Sequence, residues 1–242
     1  MGVERSIMTP MPEGQPEVTV IVPALNEEDT IGEVVERLLA VPLSTQIIVV
    51  DDGSTDRTPQ VLREFGDKIL VLTNPQRGGK GAAIVQALPH ATGKATIIQD
   101  ADLEYLPEEI PQVVRPILDG KESVVYGTRF SNGMPGGMAL PNKLVNVLLA
   151  WAVRILFFQK ITDEATCYKA FRTELLQRMD LQCKRFEFCP EATAKAIRLG
   201  QKIKEVPITY IPRSKQAGKK IRWTDAPEAF WTLAKYRFWR KG

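Results

Sequence analysis

The sequence predicts an α/β protein in which a mainly parallel sheet is flanked by helices on both sides. Short apolar runs such as VTVIV (residues 18–22) have no polar face, which is typical of strands covered by helices on both sides. These runs alternate along the chain with segments in which apolar residues recur at helical spacing. Such alternation implies a parallel sheet. Ligands of these sheets bind beyond the carboxyl ends of the strands.

The elements follow in order. After VTVIV, Thr30 and Glu33 have the spacing of a capping box at a helix start. Helical spacing is then kept by Ile31, Val34, Val35, Leu38 and Leu39. The further predicted strands are QIIVV, KILVL, ATIIQ, SVVYGTR and, much later, KIKEVPITY. A helix over about residues 81–91 is predicted between KILVL and ATIIQ.

The longest apolar segment covers residues 144–158 (LVNVLLAWAVRILFF). It is shorter than the roughly 20 residues that span a bilayer, and Arg154 interrupts it. We therefore predict a buried or interfacial helix and no transmembrane segment. A single domain is predicted over residues 17–242, after a polar, proline-rich leader at residues 1–16 that is expected to be disordered.

Composition excludes several function classes. A hydrophobic fraction of 44% and a charged fraction of 25% are those of an ordinary soluble protein, and a net charge of +3 gives no indication of a nucleic-acid partner. Because His90 is the only histidine, a His-ligated metal site or a Ser-His-Asp triad is excluded in practice. The C-terminal part is strongly basic, with Arg213, Lys215, Lys219, Lys220, Arg222, Lys235, Arg237, Arg240 and Lys241.

An acidic stretch, QDADLEY, directly follows the buried strand ATIIQ. If the strand geometry continues, Asp100, Asp102 and Glu104 point to the same side, where they repel each other unless a cation lies between them. A hard divalent cation, Mg²⁺ or Mn²⁺, takes oxygen ligands and typically combines one or two carboxylates with substrate phosphates. The stretch therefore predicts a metal that carries a diphosphate.

Two other strand ends allow two interpretations each. DDGSTD forms either an Asx turn through Gly53 with a helix cap from Ser54 or Asp56, or a nucleotide site in which a carboxylate accepts hydrogen bonds from a base or ribose. In PALNEE, Asn26 either caps the next helix or belongs with Glu27 to the ligand crevice.

The glycine-rich stretch NPQRGGKGAA lies at a helix start, which makes it a ready anion site. It lacks the spacing of a P-loop. Lys80 within it either pairs with phosphate or is solvated.

Seven stretches in this order resemble the inverting family 2 glycosyltransferases with the GT-A fold: VIVPALNEE, VVDDGSTDRT, GGKGAA, QDADLEY, YGTRF, ITDEATCYKAFR and EVPITYIPR. The set is most similar to the dolichol-phosphate mannosyltransferases and bacterial polyprenyl-phosphate glycosyltransferases. The resemblance runs from about residue 18 to the C-terminus. It is specific for fold and reaction class, and much less so for sugar and acceptor.

The resemblance implies a set of nucleotide-sugar and metal residues. Those expected at the donor are Pro23, Ala24, Glu27, Asp51, Asp52, Lys80, Asp100, Ala101 and Asp102. Asp100 and Asp102 become the ligands of Mg²⁺ or Mn²⁺ and diphosphate. Glu104 is a third metal candidate that stands where many relatives have glutamine.

The resemblance also implies catalytic and acceptor residues. Arg129 and Arg213 match positions expected to hold diphosphate or acceptor phosphate, and Asp163 matches the acidic residue discussed as a base. Lys219 and Lys220 would add positive charge for an acceptor phosphate. The implied function is metal-dependent transfer of a hexose from a donor such as GDP-mannose or UDP-glucose to polyprenyl or dolichyl phosphate.

The acceptor decides whether a base is needed. A phosphate monoester has its second pKa near ~6 and arrives ionised, whereas a sugar or lipid hydroxyl would require Asp163 as general base. The sequence leaves both open and favours the phosphate.

The C-terminal residues 229–242 interleave aromatic and basic side chains, which suits either a helix at an anionic membrane surface or an amphipathic helix packed on the domain. The membrane interpretation predicts a peripheral protein on the cytoplasmic face of a membrane, and leaves room for a membrane-protein partner subunit.

Two other classes compete with a glycosyltransferase. A nucleotidyltransferase would carry a glycine-rich loop right after the first strand, where PALNEE stands instead. A non-catalytic nucleotide-sugar-binding subunit would not need the intact set of Asp100, Asp102, Asp163 and Arg213.

Overall fold

A computed structural model describes residues 14–130, 138, 140–212 and 226–240. Within them a seven-stranded sheet has the strand order β3-β2-β1-β4-β6-β5-β7. The strands are β1 (Val18–Ala24), β2 (Thr45–Asp51), β3 (Leu70–Thr73), β4 (Ala95–Ile98), β5 (Val124–Thr128), β6 (Lys169–Arg172) and β7 (Lys204–Pro207). The helices are α1 (Ile31–Leu39), α2 (Thr58–Arg63), α3 (Lys80–Ala87), α4 (Ile110–Leu118), α5 (Leu140–Phe157), α6 (Thr173–Arg178), α7 (Phe188–Arg198) and α8 (Ala226–Tyr236).

The sheet is mainly parallel, and β6 is the exception. β6 lies between β4 and β5 and runs antiparallel to both. Its first residue, Lys169, pairs with Tyr126 near the carboxyl end of β5. The segment that precedes β6 therefore lies at the same edge of the sheet as the carboxyl ends of its neighbours.

The two faces of the sheet are buried by different helices. In β1 the side chains alternate, as strand geometry requires. Val20 and Val22 pack with α1 and α4, while Ile21 packs in a second cluster with α3, α5 and α7. Both faces of the strand are covered, as the sequence predicted, and its one polar side chain, Thr19, is also buried.

The predicted fold class is confirmed, with differences in detail. β6 was not predicted, because its four residues KAFR carry no distinct strand pattern. The helix expected over residues 81–91 is α3 followed by a 3-10 turn at Leu88–His90, where Pro89 lacks the amide that a continuing helix needs. The predicted capping box does not form. The Thr30 hydroxyl lies 2.7 Å from the main-chain oxygen of Ala101, to which it donates, and 3.2 Å from Glu27 Oε2.

Only four residues of helix α5 are buried, which contradicts the interpretation as a buried helix, while the interfacial interpretation stays a prediction. Its exposed apolar side chains recur every three or four residues and form one stripe: Leu140, Leu144, Leu148, Trp151 and Ile155. We call these residues the α5 stripe. In the described part of the chain, α5 alone is long and apolar enough to cross a membrane, with mean hydropathy 1.4 and 22% of the helix buried. Core helices of soluble proteins pass the same test of length and composition.

Helix α8 packs on the domain. Leu233 and Tyr236 belong to the core cluster that also contains residues of α5 and α7. Lys195 of α7 lies under the rings of Tyr236 and Trp239. The same helix leaves Trp231 70% exposed, and Phe238 just after it is 80% exposed. The described C-terminal residues therefore pack on the domain on one side and expose aromatic side chains on the other.

Candidate active site

The predicted loops converge at the carboxyl edge of the sheet. β1, β2 and β3 end side by side, and β4 continues into residues 99–105 at the point where the strand order reverses. Open α/β sheets bind ligands at such switch points. A cavity of about 210 Å³ opens there. Its lining includes ten of the predicted site residues: Pro23, Ala24, Glu27, Asp52, Lys80, Asp100, Ala101, Asp102, Glu104 and Arg129.

The loops after β1 and β2 are bonded to each other. Asn26 adopts a left-handed backbone with φ 51°, and its side-chain oxygen accepts a hydrogen bond from the Thr55 amide at 2.8 Å. Its own amide donates to Ser54 Oγ at 2.9 Å. Asn26 thus joins the two loops and does not cap the helix.

Asp51 does not line the cavity. Its buried carboxylate accepts the Ser54 amide at 3.0 Å, which is the turn interpretation of DDGSTD. A direct contact of Asp51 with a nucleotide stays a prediction, and the geometry assigns its side chain to the turn.

Asp52 holds the glycine-rich loop. Its Oδ1 accepts hydrogen bonds from Asn74 Nδ2 and the Gly78 amide, each at 2.8 Å, and its Oδ2 accepts the Gly79 amide at 2.7 Å. Gly79 has φ 98°, and a Cβ there would lie 2.4 Å from the Lys184 oxygen, so only glycine fits. Asp52 therefore shapes the wall at the start of α3.

The acidic stretch is a turn and not a continuation of β4. The strand ends at Ile98, and Leu103 has φ 59°, so the expectation of alternating side chains fails here. The Glu104 amide donates to Asp102 Oδ1 at 3.1 Å, while the Glu104 carboxylate accepts the Tyr210 hydroxyl at 3.0 Å. The chain after β7 therefore packs on the turn through Glu104.

Lys80 supplies a cation to the acidic turn. Its Nζ donates to Asp100 Oδ1 and contacts Cys167 Sγ at 3.0 Å. Burial opposes both charges, but the partners stabilise each other, so the pKa of Asp100 is lowered and that of Lys80 is raised. Of the two interpretations of Lys80, the solvated one is excluded by this contact.

The described residues contain no group of three or more His, Cys, Asp or Glu side chains that could hold a metal by themselves. Asp100 is bonded to Lys80 and Glu104 to Tyr210, while Asp102 is half-buried at the cavity. Mg²⁺ commonly takes one or two carboxylates and completes its shell with phosphate oxygens and water. This donor set fits a metal shared with a diphosphate, and does not fit a metal held by protein alone.

Arg129 and Asp163 form a buried ion pair. Asp163 is fully buried and accepts Arg129 Nε and Nη2, each at 2.7 Å, and the Arg129 amide at 3.0 Å. Burial lowers the pKa of Arg129, but the adjacent carboxylate outweighs it and raises the pKa well above its ordinary value. Arg129 lines the cavity and Asp163 does not.

Several predicted residues, Arg213, Lys219 and Lys220, lie outside the described residues. Conversely, the cavity wall contains residues that the sequence did not single out, among them Tyr105, Glu164, Cys167 and Tyr210. A signal for Glu164 was present, since it follows Asp163 within ITDEAT. The arrangement can hold an anionic ligand against Arg129 and Lys80 and a metal at the acidic turn.

The comparisons with known proteins agree with this geometry. Residues 19–179 match the family described as glycosyl transferase family 2. The chain belongs to this family. The match confirms the predicted family and, at the level of this domain, the predicted enzyme class.

Three relatives illustrate the likeness. The chain is 31% identical over 207 residues to the low-salt glycan biosynthesis hexosyltransferase Agl6 of Haloferax volcanii, covering 84% of this chain and 49% of that one. It is 30% identical to the UDP-N-acetylglucosamine–dolichyl-phosphate N-acetylglucosaminyltransferase of Methanococcus voltae, covering 80% and 85%. It is 27% identical to the dolichol-phosphate mannosyltransferase of Pyrococcus furiosus, covering 84% and 60%. The chain thus spans about half of the Haloferax protein's length.

Solved structures of a glucosyl-3-phosphoglycerate synthase from Mycobacterium tuberculosis share the fold. One, in complex with Mn²⁺, UDP-glucose and phosphoglyceric acid, is 25% identical with a TM-score of 0.71, covering 93% of this chain and 80% of that one. The fold of the family 2 domain, a mainly parallel sheet flanked by helices, is thereby confirmed.

We expect Asp163→Asn to lower the free energy of unfolding by about 3–5 kcal/mol, because it leaves the Arg129 guanidinium buried and uncompensated. Urea unfolding followed by circular dichroism measures this. Asp67→Asn, at an exposed position, is the control and should change stability by less than about 0.5 kcal/mol. Equal stability of Asp163→Asn and wild type would show that the ion pair is not formed.

Proposed function

We propose that this protein is a metal-dependent inverting glycosyltransferase that moves a hexose from a nucleotide-diphosphate sugar to a polyprenyl or dolichyl phosphate. The observation that carries the choice of acceptor is the position of Asp163. Both of its oxygens are bonded to Arg129, and it lies outside the cavity lining. An acceptor that arrives already ionised needs no base there.

The donor would lie across the carboxyl edge of the sheet. Pro23, Ala24 and Glu27 line the cavity at and just after the carboxyl end of β1, and we assign the base and ribose to these residues. The glucosyl-3-phosphoglycerate synthase that shares the fold was crystallised with UDP-glucose, which supports a donor of this class.

Asp102 and Asp100 would hold Mg²⁺ or Mn²⁺ together with the donor diphosphate. The Mn²⁺ in the same solved structure supports this assignment. When bound, the ion supplies Lewis-acid stabilisation of the leaving nucleoside diphosphate. Lys80 and Arg129 line the same cavity and would add fixed positive charge toward the phosphates.

The acceptor phosphate would meet Arg129, joined by Arg213, Lys219 and Lys220 if these approach the cavity. A phosphate monoester with a second pKa near ~6 is largely ionised at neutral pH. The ionised phosphate oxygen attacks the anomeric carbon without first losing a proton to a base, and the nucleoside diphosphate leaves with the bonding electron pair. The dolichyl-phosphate acceptors named for the relatives from Methanococcus and Pyrococcus support this acceptor class.

A lipid acceptor requires a membrane surface, and two features support one. The α5 stripe is exposed on one face of a helix whose other face supplies Val145 and Leu149 to the cavity. Trp231 and Phe238 are exposed beside the basic residues Lys235 and Arg237. Aromatic and basic side chains together suit an anionic interface. We propose peripheral binding at the cytoplasmic face of a membrane.

The proposed reaction is tested with a panel of UDP- and GDP-sugars, Mn²⁺ or Mg²⁺, and short polyprenyl phosphates, with products detected by mass spectrometry. We expect one donor to give a polyprenyl phosphate carrying one hexose. Transfer to sugar or lipid hydroxyls with no transfer to phosphates would overturn the acceptor. Pyrophosphate-dependent release of nucleotide would indicate a nucleotidyltransferase, and binding without turnover a non-catalytic subunit.

Asp102→Asn should lower metal-dependent turnover by at least ~10²-fold, the scale of losing a key transition-state interaction. Initial rates over a range of Mn²⁺ concentrations measure this, with unfolding temperature as the check on the fold. Asp67→Asn again serves as control. Near-normal turnover of Asp102→Asn would rule out the metal-diphosphate assignment.

The triple variant Leu148→Gln, Trp151→Gln, Ile155→Gln should weaken binding to anionic phospholipid vesicles by at least ~10-fold, because it removes apolar area that would enter the interface. Vesicle sedimentation measures the affinity. The matched control is Leu39→Gln, Leu70→Gln, Val71→Gln, which removes exposed apolar side chains from other elements. An equal loss in both variants would argue against α5 as the membrane face.

A further inference from the structure

One acidic side chain of the cavity wall has an oxygen with no hydrogen-bond partner among the described residues. Glu164 is 1% exposed and lines the cavity. Its Oε1 accepts the Thr193 hydroxyl at 3.3 Å, whereas no described residue bonds to its buried Oε2. A buried carboxylate oxygen without a hydrogen bond costs free energy, so such groups are rare and call for an explanation.

The nearby cation, Lys169, bonds to groups other than the Glu164 carboxylate. Lys169 is fully buried, and its Nζ donates to the main-chain oxygen of Glu164 at 2.7 Å. The same Nζ lies 3.6 Å from the centroid of the Tyr126 ring. Among the described residues no ion pair joins Lys169 to the Glu164 carboxylate. Burial raises the pKa of Glu164 accordingly.

The backbone around Glu164 is fixed. Asn146 of α5 accepts the Ala165 amide at 3.0 Å and donates to the main-chain oxygen of Thr162 at 3.3 Å. These bonds bracket Glu164 on both sides, and both functional atoms of the Asn146 amide are engaged in them. These bonds hold the backbone next to Glu164 in place, which opposes a shift of the cavity wall that would bring a protein donor to Oε2.

While Glu164 is ionised, a hydrogen-bond donor that enters through the cavity would satisfy its Oε2. Phosphate groups offer only acceptor oxygens and repel a carboxylate, so neither the donor diphosphate nor a polyprenyl phosphate qualifies. The base and ribose are assigned above to Pro23, Ala24 and Glu27. Among the groups of the proposed nucleotide-sugar, this leaves the hydroxyl groups of the hexose as hydrogen-bond donors to Glu164.

We infer that Glu164 binds a hydroxyl group of the transferred hexose and thereby contributes to the choice of sugar. This inference rests on the proposed function for the identity of the ligand. Charged hydrogen bonds are worth about 1.5–3 kcal/mol, or roughly 10- to 150-fold in affinity. A sugar that lacks this hydroxyl, or holds it elsewhere, would be disfavoured by that factor.

The test compares binding of nucleoside diphosphates with binding of nucleotide-sugars by titration calorimetry in Mn²⁺, using UDP, GDP, UDP-glucose and GDP-mannose. Glu164→Gln is isosteric and removes the charge, and Glu164→Asp keeps the charge but withdraws it by one methylene. Both should bind the nucleoside diphosphate as wild type does, and bind the cognate nucleotide-sugar at least ~10-fold more weakly. Deoxy analogues of that sugar should include one whose removed hydroxyl costs affinity in wild type but not in Glu164→Gln.

Glu187→Gln is the matched control, since Glu187 also lines the cavity but its two oxygens accept the amides of Lys184 and Arg185. This variant should change the affinities for the nucleoside diphosphate and for the nucleotide-sugar by the same factor. The inference is overturned if both Glu164 variants fold and change the two affinities by the same factor, including no change in either. A wild type that binds nucleotide-sugars but transfers to no acceptor would refute the proposed function and leave this inference standing.

Discussion

The geometry of the site depends on the buried ion pair between Arg129 and Asp163. Arg129 follows β5, and Asp163 precedes β6, so the pair joins two strands that run in opposite directions. Glu205 of β7 accepts the amides of Thr162 and Asp163 at 2.9 and 3.0 Å, which adds a third strand. The attraction within a buried ion pair offsets the cost of desolvation only when its geometry is good and further hydrogen bonds are made. Together these bonds tie residues 162 and 163 to β7 and to the end of β5.

Most of the fold followed from the sequence because its strands are short apolar runs that end in polar stretches. The strand that escaped prediction, β6, also explains why the site was only partly predicted. Reasoning from carboxyl ends of parallel strands locates Asp100 and Arg129, but it says nothing of residues that precede an antiparallel strand. Asp163 was found through a family resemblance, and Glu164 beside it was not found at all.

Side-chain partnership was harder to predict than position. Asp51 and Asp52 are adjacent in sequence, yet one closes its own turn and the other holds the glycine-rich loop. In the acidic turn, Asp100 pairs with Lys80 and Glu104 with Tyr210, although the spacing alone predicted three carboxylates on the same side. Such choices depend on donors brought from distant parts of the chain, which no local pattern contains.

Helix α5 contributes one face to the cavity and presents the other, as the α5 stripe, to the surroundings. If that outer face rests on lipid, the cavity opens within one helix diameter of the bilayer, about 10–12 Å. An acceptor would then be found by diffusion in two dimensions. The turnover rate would follow the mole fraction of acceptor in the surface, and diluting that surface with inert lipid would slow the reaction even at constant bulk concentration.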